Sequence, residues 1–170
     1  MKTTSKQDAA QQSDHETRAT EDDHQSLRLW LRMLSCSNLI EGQIRSRLRL
    51  AFNITLPRFD LMSQLERHPE GLKMGELAKR MMVTGGNVTG ITDQLVAEEL
   101  VVREDNPGDR RAYIVKLTKR GREVFDEMAR AHEQWILDLF EGLNERDKQQ
   151  LYGLLAQLKQ HVAASKAALR

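Results

Sequence analysis

The sequence contains few of the residues that mark secreted, membrane-spanning or sheet-rich proteins. Its 170 residues include one cysteine, three prolines and eight aromatics (four Phe, two Trp and two Tyr). A lone cysteine cannot form a disulfide within the chain, so we expect a reducing cytoplasm. No run of about 18 apolar residues is present to span a membrane, and the first 26 residues lack the apolar segment of a secretory signal. The scarcity of proline and aromatics favours helices over a many-stranded sheet.

Residue types that carry catalytic or metal chemistry are present but are not arranged for it. The five histidines show no ligand spacing with one another or with Cys36. The chain has no Ser-His-Asp pattern, Walker motif or glycine-rich nucleotide motif. We therefore expect no enzyme activity, no metal and no cofactor. His132 is expected to pack between helices, and the neighbouring acids Glu98 and Glu99 to lie on a solvent-facing helix surface.

Charge is unevenly distributed along a chain whose net charge is only +1. Residues 1–26 hold three basic against six acidic residues, and the absence of apolar periodicity predicts a disordered acidic and polar tail over 1–24. In contrast, residues 109–122 (DRRAYIVKLTKRGR) hold six basic residues against one acid. Such a segment favours a surface that binds an anion or a nucleic acid, and a solvated charged face is the alternative.

Helical patterns occupy most of the first hundred residues. Apolar residues at steps of three and four predict a helix over 26–52. Thr55 before Pro57 predicts the start of a second helix, which the HPEG sequence at 68–71 ends.

A short helix over 74–82, a tight turn and a longer helix over 85–99 follow, with Thr84 as the cap of the longer helix. This arrangement is typical of a helix-turn-helix unit.

The apolar period then changes from near 3.6 to 2. Residues 100–105 and 113–117 predict two strands, and the NPGD sequence at 106–109 predicts the turn between them. The resulting hairpin carries Arg110 and Arg111 at its tip. Two further helices are predicted over 119–141 and from 145 to about 167, with Thr118 and Asn144 as their caps.

In this order the elements carry a recognisable set of motifs. The segment DRRAYIVKLTKRG at 109–121 has the pattern D-x-R followed by L-T-x-x-G, and residues 87–95 and 100–103 precede it as a polar-headed helix and a strand. Over about residues 26–165 the chain resembles the MarR family of bacterial transcriptional regulators.

The resemblance implies a mainly α fold, a winged helix-turn-helix with a two-stranded β wing and a helical dimerisation region. The dimerisation region would comprise 25–54 and 119–170, and the winged helix-turn-helix DNA-binding domain 55–118. It also implies a homodimer that binds a pseudo-palindromic operator in double-stranded DNA and does not associate with membranes.

The resemblance also implies DNA contacts at particular residues. Short polar side chains on the first turns of a helix can read base edges in the major groove. The residues placed there are Thr84, Gly86, Asn87, Thr89 and Gly90. The wing residues are Asp109, Arg110 and Arg111, with Arg111 in the minor groove and Asp109 orienting it. The phosphate contacts are Lys79, Arg80, Arg103 and Lys119. Taken alone, these segments are also compatible with a flexible inter-helix turn and an ordinary surface ion pair.

Two positions depart from the family pattern. Gly90 stands where the family often has an arginine after the threonine of the recognition helix, and this changes the expected base-reading pattern. Lys73 stands at the usual Ser or Thr cap of the preceding helix.

The resemblance further implies a small-molecule effector. The first helix and the LPRFDLM sequence are similar to members that control aromatic-acid catabolism, so the expected effector is a small aromatic acid or an aryl-CoA thioester. The candidate pocket residues are Trp30, Ser37, Asn38, Arg58, Phe59 and Met62. Arg45 and Arg49 share one helix face and are candidates for CoA phosphates. A polar specificity feature in a dimer seam is the alternative interpretation of Ser37 and Asn38.

Two other functions remain open from the sequence. Cys36 could serve a thiol redox switch on the same scaffold, although no tyrosine precedes Tyr113 and a buried structural cysteine is the preferred interpretation. The chain could also be a helical adaptor whose basic wing binds an acidic protein.

Overall fold

A computed structural model of the chain describes residues 25–106 and 113–168, and this part forms six helices and three strands. In chain order they are α1 Gln25–Phe52, α2 Leu56–Glu66, β1 Leu72–Lys73, α3 Met74–Met81, α4 Gly85–Ala97, β2 Val101–Asp105, β3 Tyr113–Leu117, α5 Lys119–Leu139 and α6 Glu145–Ala168. The mainly helical winged helix-turn-helix fold is confirmed.

Side-chain caps begin the last two helices, as the sequence predicts. The Thr118 hydroxyl oxygen accepts a hydrogen bond from the Gly121 amide at 2.9 Å. The Asn144 side-chain oxygen accepts one from the Asp147 amide, also at 2.9 Å. Each cap satisfies an amide that the first turn leaves without a helical partner, which fixes the residue at which the helix begins.

The three strands form one antiparallel sheet in the order β1-β3-β2. The hairpin of β2 and β3 is the predicted wing, with Val101 opposite Leu117. The sequence analysis missed β1, which adds a third strand to the expected two by pairing Leu72 with Val115. A strand of two residues is too short to show the alternation of period 2 by which strands are recognised.

The ends of two helices also differ from the prediction. Helix α4 ends at Ala97, and Glu98 is its C-cap residue. Glu99 then adopts a left-handed conformation with φ 59°. Both acids are exposed, as expected, but they follow the last residue of the helix and do not lie on its surface. Helix α3 ends similarly, before Met82 at φ 55°.

The chain divides into two compact units between Leu56 and Pro57. In the first unit, Ile44, Leu48 and Ile54 are buried. The second unit contains the sheet, α3 to α6 and nearly all of α2. Its buried apolar residues are Phe59, Leu61, Met62, Leu65, Leu72, Leu77, Val88, Ile91, Leu95, Leu100, Val101, Val115, Phe125 and Met128.

An aromatic cluster joins α2 to α5 in the second unit. The ring centroid of Phe59 lies 5.5 Å from that of Phe125 and 5.0 Å from that of His132. The expected packing of His132 between helices is thus confirmed. Burial lowers the pKa of this imidazole because it disfavours the charged form. No helix in the described ranges is both long and apolar enough to span a bilayer.

Candidate nucleic-acid interface

Helix α4 presents its leading turns to solvent while its opposite face is buried. Thr84 has an extended backbone and caps the helix, its hydroxyl oxygen accepting a hydrogen bond from the Asn87 amide at 3.4 Å. Val88, Ile91 and Leu95 are buried, and they fix the rotation of the helix about its axis. The predicted major-groove residues Thr84, Gly86, Asn87, Thr89 and Gly90 are all exposed.

The exposed face of α4 is unusually free of side-chain bulk. A β-carbon added at Gly85, Gly86 or Gly90 would meet no atom within 4 Å. Glycine inside a helix costs about 1 kcal/mol relative to alanine. No steric contact within the described part of the chain requires these glycines, so their absent side chains leave α4 open to close approach by another molecule.

The threonines of α4 have different partners. The Thr89 hydroxyl donates to the Gly85 carbonyl oxygen at 3.0 Å, which holds its methyl group and oxygen at the exposed surface. Thr92 is completely buried, and its hydroxyl donates to the Val88 carbonyl oxygen at 2.8 Å. Of these two threonines, Thr89 is therefore the one placed to meet an external partner.

The wing is described up to its tip. Strand β2 ends at Asp105, and strand β3 begins at Tyr113. The predicted contacts Asp109, Arg110 and Arg111 lie outside the described residues. Across the two strands of the wing, the Lys116 ammonium lies 2.8 Å from the Glu104 carboxylate, and this hydrogen bond raises the pKa of Lys116.

The predicted phosphate contacts fall into two groups. Lys79 and Lys119 are exposed, near the end of α3 and at the start of α5. Arg80 donates to Glu76 at 2.6 Å, and that hydrogen bond lowers the pKa of the Glu76 carboxyl. Arg103 donates to Asp93 at 2.5 Å, which joins β2 to the exposed side of α4. Both arginines thus have a competing acid beside them.

The candidate effector residues on α1 and α2 differ in exposure. Trp30, Ser37 and Asn38 are exposed on α1. The three candidates on α2 are buried, Met62 completely. They are Arg58, Phe59 and Met62.

Arg58 has an acidic partner that the sequence analysis missed. Its guanidinium forms an ion pair with the carboxylate of Glu98, the C-cap residue of α4. The two residues are 40 positions apart, and no local pattern links residues at such a separation.

The remaining candidates lie along α1. Arg45 forms an ion pair with Glu41 one turn earlier, and Arg49 is exposed. Cys36 is also exposed in the isolated chain, so the expectation that it is buried is wrong for this structure. Within the described ranges, no group of three or more His, Cys, Asp or Glu side chains is placed to hold a metal ion.

Helix α6 has a continuous exposed apolar stripe, and none of its residues over 145–165 is buried. Its members lie three and four residues apart, so they share one face. They are Leu151, Leu154, Leu155, Leu158 and Val162. A face of this kind is typical of a helix that packs against a partner.

Comparisons with known proteins agree with this geometry. Residues 54–113 match the sequence profile of the MarR family. The helix-turn-helix transcriptional regulator YkoM of Bacillus subtilis is 33% identical over 116 residues, which cover 68% of this chain and 73% of YkoM. The transcriptional activatory protein BadR of Rhodopseudomonas palustris is 29% identical over 104 residues, which are 60% of this chain and 59% of BadR. The crystal structure of a MarR family regulator from Silicibacter pomeroyi matches with a TM-score of 0.72 and 29% identity, covering 84% of this chain and 99% of that one.

Proposed function

Because this chain belongs to the MarR family of DNA-binding transcriptional regulators, we propose that it is a repressor released from its operator by a small ligand. It acts in the cytoplasm as a homodimer on a pseudo-palindromic duplex. The ligand is a small aromatic acid or its CoA thioester. Members of the family are regulators and not enzymes, in agreement with the expectation that this chain has no catalytic activity.

The exposed leading turns of α4 carry this proposal. A capped helix with a buried apolar back leaves Asn87 and Thr89 projecting beside Gly86 and Gly90, which carry no side-chain bulk. Asn can pair with adenine through two hydrogen bonds, and Thr can contact a thymine methyl group. The amino end of the helix also favours the negative phosphates. This surface therefore suits the major groove better than an acidic protein.

The exposed stripe of α6 supports the homodimer. Burying its leucines against a second copy would remove them from water, at about 25 cal/mol for each Å² of apolar surface. A two-fold dimer also presents two α4 helices to successive major grooves on one side of the duplex. A pseudo-palindromic operator follows from that symmetry.

Two features support the proposed ligand class. They are the similarity of the LPRFDLM segment to regulators of aromatic-acid catabolism and the positive charge of Arg58. Arg58 supplies a buried guanidinium on α2, the kind of group that pairs with a carboxylate. Arg45 and Arg49 on α1 are the proposed partners of CoA phosphates. Because BadR is named an activator, repression by this chain is tested separately. Expression of the target gene is measured in a strain from which the regulator has been deleted, and it should rise.

The test is a gel shift of the purified protein on its own upstream DNA, repeated at several salt concentrations. We expect a specific shift that an aromatic acid or an aryl-CoA thioester releases. Arg111→Ala should weaken binding, with Arg130→Ala on the exposed side of α5 as the control for a lost positive charge. Equal affinity for random duplex would instead favour the protein adaptor. If peroxide releases the DNA from the unmodified protein but not from Cys36→Ser, the redox switch is favoured.

A further inference from the structure

Arg58 is a buried cation that the fold leaves incompletely satisfied. It lies in the first turn of α2, and its side chain is 11% exposed. One side of the guanidinium pairs with Glu98, whereas its Nε has no hydrogen-bond partner among the described residues. A buried donor without an acceptor is unfavourable, so the Nε–H of this guanidinium can donate a hydrogen bond to a further anionic oxygen.

Both members of the ion pair lie at helix ends that disfavour their charge. The amino end of α2 carries a partial positive charge beside Arg58, and the carboxyl end of α4 carries a partial negative charge beside Glu98. The enclosed Arg58 is stabilised mainly by Glu98, whereas the half-exposed Glu98 is also stabilised by water. The loss of either one therefore leaves its partner in an unfavourable field.

The two partners differ in how readily they can separate. The Glu98 side chain is 50% exposed, so its carboxylate can turn into water. Arg58 is enclosed and has no such alternative. An incoming carboxylate would consequently replace the acid and leave the arginine in place, because only the acid has solvent to receive it.

We propose that the Arg58–Glu98 ion pair couples the effector to α4, with the ligand carboxylate taking the position of Glu98 on Arg58. Two carboxylate oxygens match the guanidinium fork better than one and can also reach Nε. The displaced Glu98 no longer ties the carboxyl end of α4 to α2, and the helix loses the orientation in which it fits the groove. This inference rests on the proposed function, since it specifies how the ligand weakens DNA binding.

The test compares Glu98→Gln with Glu99→Gln in the full chain. Both variants remove one negative charge at adjacent positions, so a general electrostatic effect on DNA binding is the same in both. Glu99 forms its ion pair with the exposed Arg120, at 3.3 Å, and not with Arg58. Each variant is titrated with benzoate by calorimetry without DNA, and with operator DNA by gel shift. Benzamide serves as the uncharged control ligand.

We expect Glu98→Gln to bind benzoate at least about fivefold more tightly and operator DNA at least about fivefold more weakly, which is the lower end of ordinary allosteric coupling. Glu99→Gln should match the unmodified protein or bind DNA more tightly, and benzamide should not bind. Benzoate that binds Glu98→Gln no better than the unmodified protein, or not at all, would overturn the proposal. The absence of a specific DNA complex with the unmodified protein would instead overturn the proposed function, while the calorimetric comparison would still decide the ion-pair competition.

Discussion

The carbonyl oxygen of Leu100 lies 1.8 Å from the position that a β-carbon on Gly121 would occupy. The same oxygen accepts a hydrogen bond from the Thr118 amide at 3.1 Å. The first turn of α5 thus lies directly against the residue that precedes β2. Only glycine allows this approach, because any side chain at residue 121 would overlap main-chain atoms that cannot turn aside.

We expect Gly121→Ala to destabilise the fold by about 3 kcal/mol, at the upper end of the cost of overpacking, because backbone must move to make room. The measurement is the urea concentration at the midpoint of unfolding. Gly42→Ala is the matched control, because a β-carbon there meets nothing within 4 Å inside α1. The control should be neutral or more stable, and a Gly121→Ala protein as stable as the control would contradict the close approach.

Gly90→Ala should increase the stability of the fold and at the same time weaken DNA binding. The substitution adds a good helix former inside α4 where no atom lies within 4 Å, so stability should rise by up to about 1 kcal/mol. The new methyl group stands on the face proposed to enter the major groove, so operator affinity should fall. Gly42→Ala again provides the comparison, with a gain in stability and unchanged affinity. A Gly90→Ala protein that binds the operator as well as before would remove Gly90 from the interface.

Substitutions of Arg103 and of Asp93 should have opposite effects on DNA affinity. If Arg103 contacts a phosphate, Arg103→Ala lowers affinity and reduces the slope of log affinity against log salt by about one. Asp93→Asn removes an acid from the exposed side of α4 and frees Arg103, so we expect tighter binding. Fluorescence anisotropy at several salt concentrations measures both effects. An unchanged slope in Arg103→Ala would show that Arg103 makes no phosphate contact and serves only in its ion pair with Asp93.

The leucines of α6 should determine whether the protein is a dimer. Leu155→Asp places a charge in the middle of the exposed apolar stripe, where a partner helix would have to bury it. We expect a folded monomer in analytical ultracentrifugation, with loss of specific operator binding. Gln160→Asp, at an exposed position of the same helix outside the stripe, is the control for a new acid. A dimer that survives Leu155→Asp would place the interface elsewhere.

The protein should lose stability in mild acid through His132. Burial lowers the pKa of this imidazole from its ordinary value, so at mildly acidic pH His132 binds more protons in the unfolded chain than in the folded one. Stability contributed by the neutral imidazole is therefore present above this range and decreases as the pH falls through it. His132→Phe keeps an aromatic ring beside Phe59 but cannot bind a proton. Its melting temperature should decrease less between neutral and mildly acidic pH than that of the unmodified protein.

Local chemistry made much of the fold predictable. Thr118 and Asn144 were recognisable caps, and β3 begins and ends at the predicted residues because alternation and turn residues bound it on both sides. The missed features have no local pattern. Strand β1 is two residues long, and Glu99 enters the left-handed region without being glycine.

The candidate site was predictable only in part for the same reason. Exposure of Asn87 and Thr89 follows from the apolar spacing of α4, which the sequence contains. The ion pairs of Arg58 with Glu98 and of Arg103 with Asp93 form across the fold. Composition does not encode such pairs, because each side chain has several possible partners until the helices are packed.

The two-residue strand β1 has a consequence for how the winged unit folds. Pairing of Leu72 with Val115 closes a loop that contains α3, α4 and β2. The entropy of closing that loop is lost in a single step, which favours cooperative formation of the helix-turn-helix and the wing. The amide hydrogens of β1 and of α4 should accordingly exchange with solvent through the same local unfolding event. A partner that immobilises the wing would then slow exchange in α4 without touching it.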